Sequence, residues 1–377
     1  MDFDFSEDQR LLKDSVDRLV ADRYGFESRK GFAKQANGWS AEMWAQYAEL
    51  GLLGLPFSED HGGFGGGAIE TGLVMEAFGR GLVLEPYLAT VVLGGGIIRH
   101  GASAEQQEEL VPQIVAGDLK LALAHVERHS RWNLNDVAVT AKADGSGYVI
   151  NGEKSVVLHG DCADKLLVTA RTGGAQRDAG GIGVFLVDAS DAGVSRKGYP
   201  TQDGLRAAEV SFANARGVAI GDAGGALPVV SRVVDEAIAA LCSEAVGGMG
   251  EMLAITVDYM KQRKQFGRAI GEFQVLQHRA VDMFAALEGA KSMAMLATMM
   301  ATSDDAKARR QAISAAKVQI GKSGKHIGEE AVQLHGGIAM TMEYKVGHYF
   351  KRMTMIEQMF GSTDHHLAYV ANSGGMF

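Results

Sequence analysis

The chain has 377 residues, of which 46% are hydrophobic and 22% charged, and its formal net charge is −9. This composition predicts a globular protein with a sizeable core and more than one packed unit. It argues against a nucleic-acid-binding protein, because Lys and Arg are scattered among a larger number of acidic residues. The two cysteines, Cys162 and Cys242, cannot form a disulfide framework and fit a reducing compartment.

The N-terminal segment MDFDFSEDQR is acidic and lacks the apolar core of a secretory signal. No uninterrupted apolar stretch reaches the about 20 residues needed to cross a bilayer. We therefore expect a cytoplasmic protein without a membrane span.

The first third of the sequence has the periodicity of helices. Apolar residues recur on one face between Phe5 and Ala21, a second helix is predicted from Ala41 to Leu50, and the glycine-rich run 62–67 separates helical segments. From about 121 to 218 the pattern changes to short β-rich runs separated by Gly, Asp and Asn, which is typical of an antiparallel sheet or a small barrel.

The last third is helical again, with runs over 229–300 and 304–333. It contains no proline beyond Pro228, so long uninterrupted helices can form there. The order of helices, strands and helices favours an α+β fold over alternating βαβ units. We predict an N-terminal helical domain over residues 1–120, a middle antiparallel β-barrel-like domain over 121–218 and a C-terminal helical domain over 229–377.

Two patterns that often mark a site carry little weight in this sequence. Gly63-x-Gly65-x-x-Ala68 matches a loose dinucleotide fingerprint, but no predicted strand precedes it, so we interpret it as an ordinary loop. The run 364–366, Asp-His-His, places its side chains in different directions on a helix. No histidine has a Glu three residues before it either, so we predict no metal site.

The segment that begins at Tyr259, YMKQRKQFGRAIGEFQVLQHR, concentrates cations around an aromatic residue. Arg263 and Arg268 flank Phe266, and Gln274 and Gln277 follow three residues apart on one helix face. Arginine can bind a pyrophosphate through two parallel hydrogen bonds, and a neighbouring aromatic ring can shield that contact from water. A solvated helix end has the same composition, so the turn alone is weak evidence for a phosphate site.

A second segment, Gln333-Leu334-His335-Gly336-Gly337, ends a helical run. Its two glycines allow backbone N–H groups to approach an anion closely, although a glycine at a helix end is also an ordinary C-cap. The combination and order of the two segments favour a nucleotide site.

With these segments the chain resembles the acyl-CoA dehydrogenase family over essentially its whole length. The resemblance rests on FSEDQRLLKDSV, ELGLLGLPFSEDHGGFGG, INGEK (150–154), YMKQRKQFG and QLHGG. The subgroup is similar to the small-subunit type of pimeloyl-CoA dehydrogenase.

The resemblance implies a C-terminal four-helix bundle that mediates tetramer formation, with FAD as the cofactor. It implies α,β-desaturation of an acyl-CoA: a carboxylate removes the α-proton, the β-carbon passes hydride to the flavin, and electrons leave to an electron-transfer flavoprotein. In this family the FAD, much of it the adenine half of a neighbouring subunit's cofactor, would be held by Arg263, Phe266, Gln274, Gln333, Leu334, His335, Gly336, Gly337 and Thr363.

The sequence departs from the family at the catalytic base. The family's Tyr-Glu-Gly-Thr corresponds to residues 360–363 here, so Gly361 stands at the carboxylate position. A second family position for the base corresponds to Ala237, beside Glu236. We predict Glu244 as the base, because it lies seven residues, or about two turns, beyond Ala237 among apolar neighbours.

A structural, paired glutamate is the alternative interpretation of Glu244, and Asp364 and Glu236 are weaker candidates for the base. The flavin side departs as well. The family's Trp-Ile-Thr corresponds to Val156-Val157-Leu158, which offers no side-chain donor, and its Thr-Glu-Pro loop corresponds to residues 125–130. Backbone donors could still serve the flavin.

Two hypotheses follow from these departures. In the first, the chain is a complete flavoenzyme with Glu244 as its base, and the partners are an acyl-CoA substrate and an electron-transfer flavoprotein. In the second, it is a non-catalytic or half-site subunit that docks to a paralogous chain and lends its nucleotide-binding segments. The assembly is accordingly a homotetramer or a heterotetramer with a paralogous subunit.

Overall fold

The computed structural model describes residues 5–374. The first and last predicted domains also include residues 1–4 and 375–377, which lie outside the described residues. The predicted N-terminal helices are confirmed with shifts of about two residues, since α1 spans Glu7–Arg23 and α3 spans Ala41–Glu49. Helix α1 begins at a capping box in which Ser6 and Gln9 bond each other's backbone N–H groups.

The other helices before the β domain are α2 (Phe26–Phe32), α4 (Ala68–Gly81), a π-helical segment (Leu88–Gly94), α5 (Gly95–Gly101) and α6 (Ala104–Val115). The glycine-rich run 62–67 is a loop with no strand before it, as predicted. A Cβ added at Gly63 would lie 2.5 Å from the carbonyl carbon of Phe57 and closer still to its oxygen, so close backbone packing explains this glycine.

The middle region forms a mixed sheet of seven strands: β1 (Leu121–Ala124), β2 (Thr140–Asp144), β3 (Gly147–Leu158), β4 (Lys165–Arg171), β5 (Ile182–Asp188), β6 (Val194–Pro200) and β7 (Arg206–Ile220). Strands β4, β2, β3, β7 and β5 close on themselves, because β5 pairs again with β4. The barrel is confirmed. It is not wholly antiparallel, however, since β1 and β2 both pair with β4 in parallel. Their parallel pairing is possible because long connections, not tight turns, separate these strands in the sequence.

The C-terminal helices are α7 (Leu227–Gln262), α8 (Gln274–Ala301), α9 (Ala306–His335), α10 (Lys345–Gln358) and α11 (Thr363–Asn372). A short hairpin, β8 (Lys264–Gln265) and β9 (Arg268–Ala269), interrupts the run predicted over 229–300. Pro228 stands at the second residue of α7, where its missing N–H has no helical partner to lose.

Two compact units divide the chain. One contains the described residues up to 31, residues 68–83 and the residues from 238 onward, and the other contains 32–67 and 84–237. The second unit includes the apolar barrel interior, where Ile150, Leu166 and Phe185 are completely buried. The three domain boundaries drawn from the sequence stay a prediction.

Helix α7 is the one helix among residues 5–374 with the length and hydropathy of a membrane span. Of its most apolar window, 78% is buried inside the protein. Such burial is typical of the core helix of a folded domain.

Candidate functional site

The cationic turn predicted after Tyr259 is the exposed β8–β9 hairpin. Phe266 and Gly267 form its tip with φ values of 55° and 80°, both in the left-handed region that a two-residue hairpin requires. Phe266 is 91% exposed, and the guanidinium of Arg268 lies 4.2 Å from the ring centre of Phe273. The exposed side chain of Arg263 forms no ion pair with any residue from 5 to 374, so its donors face solvent.

The diglycine segment lies beside the end of α7 in the same chain. The rings of Tyr259 and His335 stack at 4.4 Å, and Tyr344 covers His335 at 5.1 Å. The hydroxyl of Tyr259 donates to the backbone oxygen of His335 at 3.5 Å. Since Tyr259 is the first residue of the cationic segment, on the last turn of α7, the structure brings the two predicted nucleotide-binding segments together.

Each residue of the diglycine segment has a distinct setting. Gln333 is exposed and Leu334 is buried. A Cβ built on Gly336 or Gly337 meets no atom within 4 Å, so open space lies next to their backbone. His335 Nδ1 donates to Ala331 O at 2.8 Å, and burial lowers the pKa of the imidazole. Its buried Nε2 is therefore an acceptor, and it has no partner among the described residues.

Helix α8 carries the predicted glutamine on an exposed face. Gln274, Gln277, Val281 and Phe284 recur at helical spacing and are all exposed. This face thus changes from polar to apolar along the helix. Thr363, by contrast, begins α11 and donates its N–H to Glu357 at 2.8 Å, on elements other than the hairpin and α8.

Glu244 is buried in α7 and paired with an arginine of α10. Arg352 donates from Nε to Oε1 at 2.6 Å and from Nη2 to Oε2 at 2.7 Å, so both carboxylate oxygens are bonded. Only 5% of the surface of each residue is exposed. This arrangement favours the structural interpretation of Glu244, and its assignment as the base stays a prediction.

The position of the family's usual carboxylate, Gly361, has no room for a side chain. Gly361 is buried at φ 127°, and a Cβ built there would meet His366 Nε2 at 2.5 Å. The His366 ring is fixed in that space, since Nε2 donates to Phe360 O at 3.2 Å and Nδ1 accepts from Ser314 Oγ at 3.0 Å. Burial lowers the pKa of His366 to about 3, so the ring is neutral.

The remaining carboxylates considered as bases are also engaged or exposed. Glu236 lies 2.5 Å from Arg99, 2.8 Å from His100 and 3.5 Å from Arg232. Burial would raise its pKa, but the bond to His100 and the charges of Arg99 and His100 leave the pKa below the ordinary value. A general base in a dry pocket requires the opposite shift. Asp364 is exposed in the first turn of α11.

The residues that stand for the family's Trp-Ile-Thr lie at a β-bulge of β3. Val156 has φ 50°, is 43% exposed and donates its N–H to Glu209 at 3.3 Å. Glu209 also accepts from Ser155 Oγ at 2.5 Å and from the Tyr199 hydroxyl at 2.8 Å. One of the backbone donors expected for a flavin is thus already bonded inside the chain.

The fold and these two segments define a class of flavin-linked oxidoreductase, and comparison with known proteins identifies the family. Models of the acyl-CoA dehydrogenase N-terminal, middle and C-terminal domains match residues 6–118, 122–215 and 223–374. The chain belongs to the acyl-CoA dehydrogenase family. Members of this family are FAD-dependent oxidoreductases that act on acyl-CoA.

Similar proteins match along nearly the whole chain. Acyl-CoA dehydrogenase FadE12 of Mycobacterium tuberculosis is 30% identical, over 90% of this chain and 89% of that protein. The L-prolyl-[peptidyl-carrier protein] dehydrogenase of Serratia sp. (strain ATCC 39006) is 26% identical, over 100% and 99%. The ChsE4–ChsE5 complex from Mycobacterium tuberculosis has a chain that superimposes with a TM-score of 0.87 at 27% identity, over 99% of this chain and 98% of that one.

The residues of the hairpin and the diglycine segment fit the nucleotide part of FAD. Arg263 offers N–H donors, which suit phosphate groups, and the His335 Nε2 acceptor suits a hydroxyl or amino donor. Open space borders the Gly336–Gly337 backbone, although the Gly336 N–H already donates to Val332 O. The bulge at Val156 fits a flavin ring less well, because Glu209 already takes its N–H.

Sequence reasoning missed the contacts that decide the state of the carboxylates. Arg352 stands in an ordinary amphipathic stretch of α10, 108 positions from Glu244, and nothing local marks it as a partner. The stack of Tyr259 on His335 was missed for the same reason. The only local signal was that Tyr259 and His335 each stand within a segment already assigned to the nucleotide.

Proposed function

We propose that this chain is the cofactor-sharing subunit of a heteromeric FAD-dependent acyl-CoA dehydrogenase. The assembly desaturates an acyl-CoA between its α and β carbons and passes the electrons to an electron-transfer flavoprotein. A paralogous subunit supplies the carboxylate that removes the α-proton. The observation that carries this proposal is the state of Glu244 and Gly361: the one carboxylate is bonded through both oxygens, and the other is replaced by a glycine with no space around it.

A carboxylate acts as a general base through a free oxygen that can reach the proton. Arg352 stabilises Glu244 as an anion and occupies both oxygens, so proton abstraction would first require the ion pair to break. Breaking a buried pair costs about 3–5 kcal/mol, which is about 160-fold or more in rate. That loss favours a base on another chain.

The parts that this chain contributes are those of the nucleotide half of the site. FAD, when bound, supplies the hydride acceptor. The Arg263 side chain holds phosphate next to the open backbone of Gly336 and Gly337, while Phe266 at the hairpin tip is exposed enough to be covered by a partner. The apolar continuation of the α8 face, Val281 and Phe284, supports a subunit contact next to the same site.

The proposal is tested by measuring how much FAD the purified chain carries, alone and in a complex. The chain is purified alone and after co-expression with paralogous acyl-CoA dehydrogenase chains encoded near it, and FAD per chain is measured by absorbance. We expect little FAD in the isolated chain and about one FAD for each pair of chains in the complex. Full occupancy in an isolated homo-oligomer, with bleaching by an acyl-CoA, would refute the proposal.

A matched pair of variants tests the donated contact. Arg263→Gln should weaken the binding of FAD to the complex at least tenfold and so lower its FAD content, because an arginine–phosphate pair contributes about 1.5–3 kcal/mol. Lys307→Gln, an exposed cation in the first turn of α9, should leave the FAD content unchanged. Equal FAD content in the two variants would remove the hairpin from the site.

The second candidate is a complete flavoenzyme with Glu244 as base, and the observation that favours it is that Glu244 is buried, so that water is kept from its carboxylate. It requires Arg352 to release the carboxylate when substrate binds. Glu244→Gln then decides between the candidates: unchanged bleaching in the flavin-loaded complex rejects Glu244 as base. A loss of more than about a hundredfold, with FAD retained, would support it.

A further inference from the structure

A buried cation joins separate segments of the β domain. Lys154, on β3, is 1% exposed. Its Nζ donates to His125 O at 3.1 Å, to Glu127 Oε1 at 2.7 Å and to Thr169 Oγ1 at 3.0 Å. One ammonium group therefore links β3, β4 and the start of the long connection between β1 and β2.

Glu127 closes that connection into a loop. Its carboxylate accepts from the N–H of Ala138 at 2.9 Å and from the N–H of Val139 at 3.2 Å. Glu127, which is 4% exposed, thus joins the two ends of the loop over residues 127–138. His129, 3.1 Å from Asp136, and Arg171, which donates to Val137 O, add further contacts at those ends. We call the Lys154–Glu127 pair and its two N–H donors the loop clip.

Ser155 and Arg128, which follow Lys154 and Glu127 in the sequence, are held on the opposite face. Ser155 donates its N–H to Val126 O at 2.8 Å, and its hydroxyl donates to Glu209. Glu209 in turn lies 3.6 Å from Arg128, which is otherwise exposed. Because successive strand residues point to opposite faces, Lys154 fixes Glu127 from inside while Glu209 faces Arg128 from outside.

We propose that Lys154 is a positioning residue, which through the loop clip holds the 127–138 loop closed and so fixes Arg128 and His129 beside the β3 bulge. This inference deepens the proposed function and rests on it for its consequence, because residues 125–130 correspond to the family's Thr-Glu-Pro loop on the flavin side. Lys154 itself is buried and acts only through Glu127.

The charges around Lys154 make the loop clip sensitive to pH. Burial lowers the pKa of Lys154 to about 8, against the opposing effect of Glu127. His125 is neutral because burial lowers its pKa to about 3, and Thr169 carries no charge. Beyond Glu127, His129 lies 3.6 Å from its carboxylate and 3.1 Å from Asp136. Lys154 stays inside the barrel when the loop opens, and the loss of Glu127 then lowers its pKa further. Protonated Lys154 therefore favours the closed loop, and this contribution is lost as pH rises through about 8, so the loop opens more often.

Hydrogen exchange of the full-length chain tests the loop clip without flavin or substrate. In the parent, peptides covering 127–139 should lose protection as pH rises through about 8, after correction for the intrinsic exchange rate. Lys154→Met should expose the same peptides at least tenfold faster at pH 7 and remove the pH dependence. Lys142→Met, an exposed lysine on β2, is the matched control and should behave as the parent.

A second variant covers the case in which Lys154→Met does not fold. Glu127→Gln keeps an oxygen for the N–H of Ala138 but removes the charge, so its loop should exchange without the step near pH 8. Parent-like protection in Lys154→Met, or a parent profile that is flat between pH 6.5 and 9.5, overturns the proposal. Either result is independent of the flavin count that tests the subunit role.

Discussion

The chemistry of the candidate site depends on the buried ion pair between Glu244 and Arg352. The sequence placed Glu244 among apolar neighbours and so predicted burial, which the structure has. It could not predict Arg352, because contacts between helices more than a hundred residues apart leave no local pattern. A buried carboxylate that is paired with an arginine serves as a structural ion pair, whereas an unpaired one can serve as a general base. Only the packing of α10 against α7 distinguishes the two cases.

The ion pair predicts a specific stability pattern. Arg352→Met should lower the free energy of unfolding by about 3–5 kcal/mol, because it leaves the Glu244 charge buried without a partner. Glu244→Leu alone should be similarly harmful, while the double variant should recover most of the loss. The measurement is a double-mutant cycle by urea denaturation. Additive losses would show that the two side chains do not interact in solution.

Gly361 carries a second prediction at the same scale. Gly361→Ala should destabilise the protein by roughly 1–3 kcal/mol, because the residue has φ 127° and the added Cβ meets the His366 ring. Gly250→Ala is the control, since a Cβ there meets nothing within 4 Å inside α7, and it should be neutral or stabilising. Thermal denaturation checks both. A Gly361→Ala protein as stable as the parent would mean that this position can accept a side chain after all.

At the scale of elements, periodicity predicted α1, α3 and α9 within a few residues of their ends. The run predicted over 229–300 matches the start of α7 and the end of α8, but the break between them was not given limits. The parallel pairing of β1 with β4 was not predictable, because pattern identifies strands but not their neighbours. The hairpin after α7 was interpreted correctly as a turn, although its two short strands have no strand-like composition.

The contact between α11 and α9 predicts that the free energy of unfolding falls in acid. His366 joins the two helices through Ser314, and burial lowers its pKa to about 3 from 6.5. Below pH 6.5 the unfolded chain therefore takes up a proton that the folded chain refuses, and the stability falls with pH down to about 3. Between pH 7 and pH 5 this loss amounts to roughly 2 kcal/mol for one histidine.

His366→Gln removes that titrating group and should flatten the acid limb. Its free energy of unfolding should be lower than the parent's at pH 7, yet fall by roughly 2 kcal/mol less on acidification to pH 5. His278→Gln, exposed on α8, should follow the parent. Urea denaturation at the two pH values gives the comparison. Parallel pH profiles of parent and His366→Gln would contradict a neutral, buried imidazole.

At the scale of the whole molecule, the family and its cofactor were readable from the sequence because short motifs recur in order along the chain. The sequence left a complete enzyme and a half-site subunit open as alternatives, since the choice depends on which carboxylates remain free. Two exposed apolar residues indicate a candidate subunit contact: Val281 is 62% exposed and Phe284 54%, three residues apart on one face of α8. In a folded chain, such a face beside a cofactor site is best explained by a partner subunit.

Phe284→Asp should therefore dissociate the assembly, because it places an unpaired charge in a contact that excludes water. We expect the mass in solution, measured by light scattering after size-exclusion chromatography, to fall to that of smaller species, with unchanged helix content. Leu11→Asp is the control, since Leu11 is 60% exposed on α1, which packs against α4. FAD content should fall with the mass, because the nucleotide contacts then lose the subunit whose flavin they hold. An unchanged mass would place the subunit contact elsewhere.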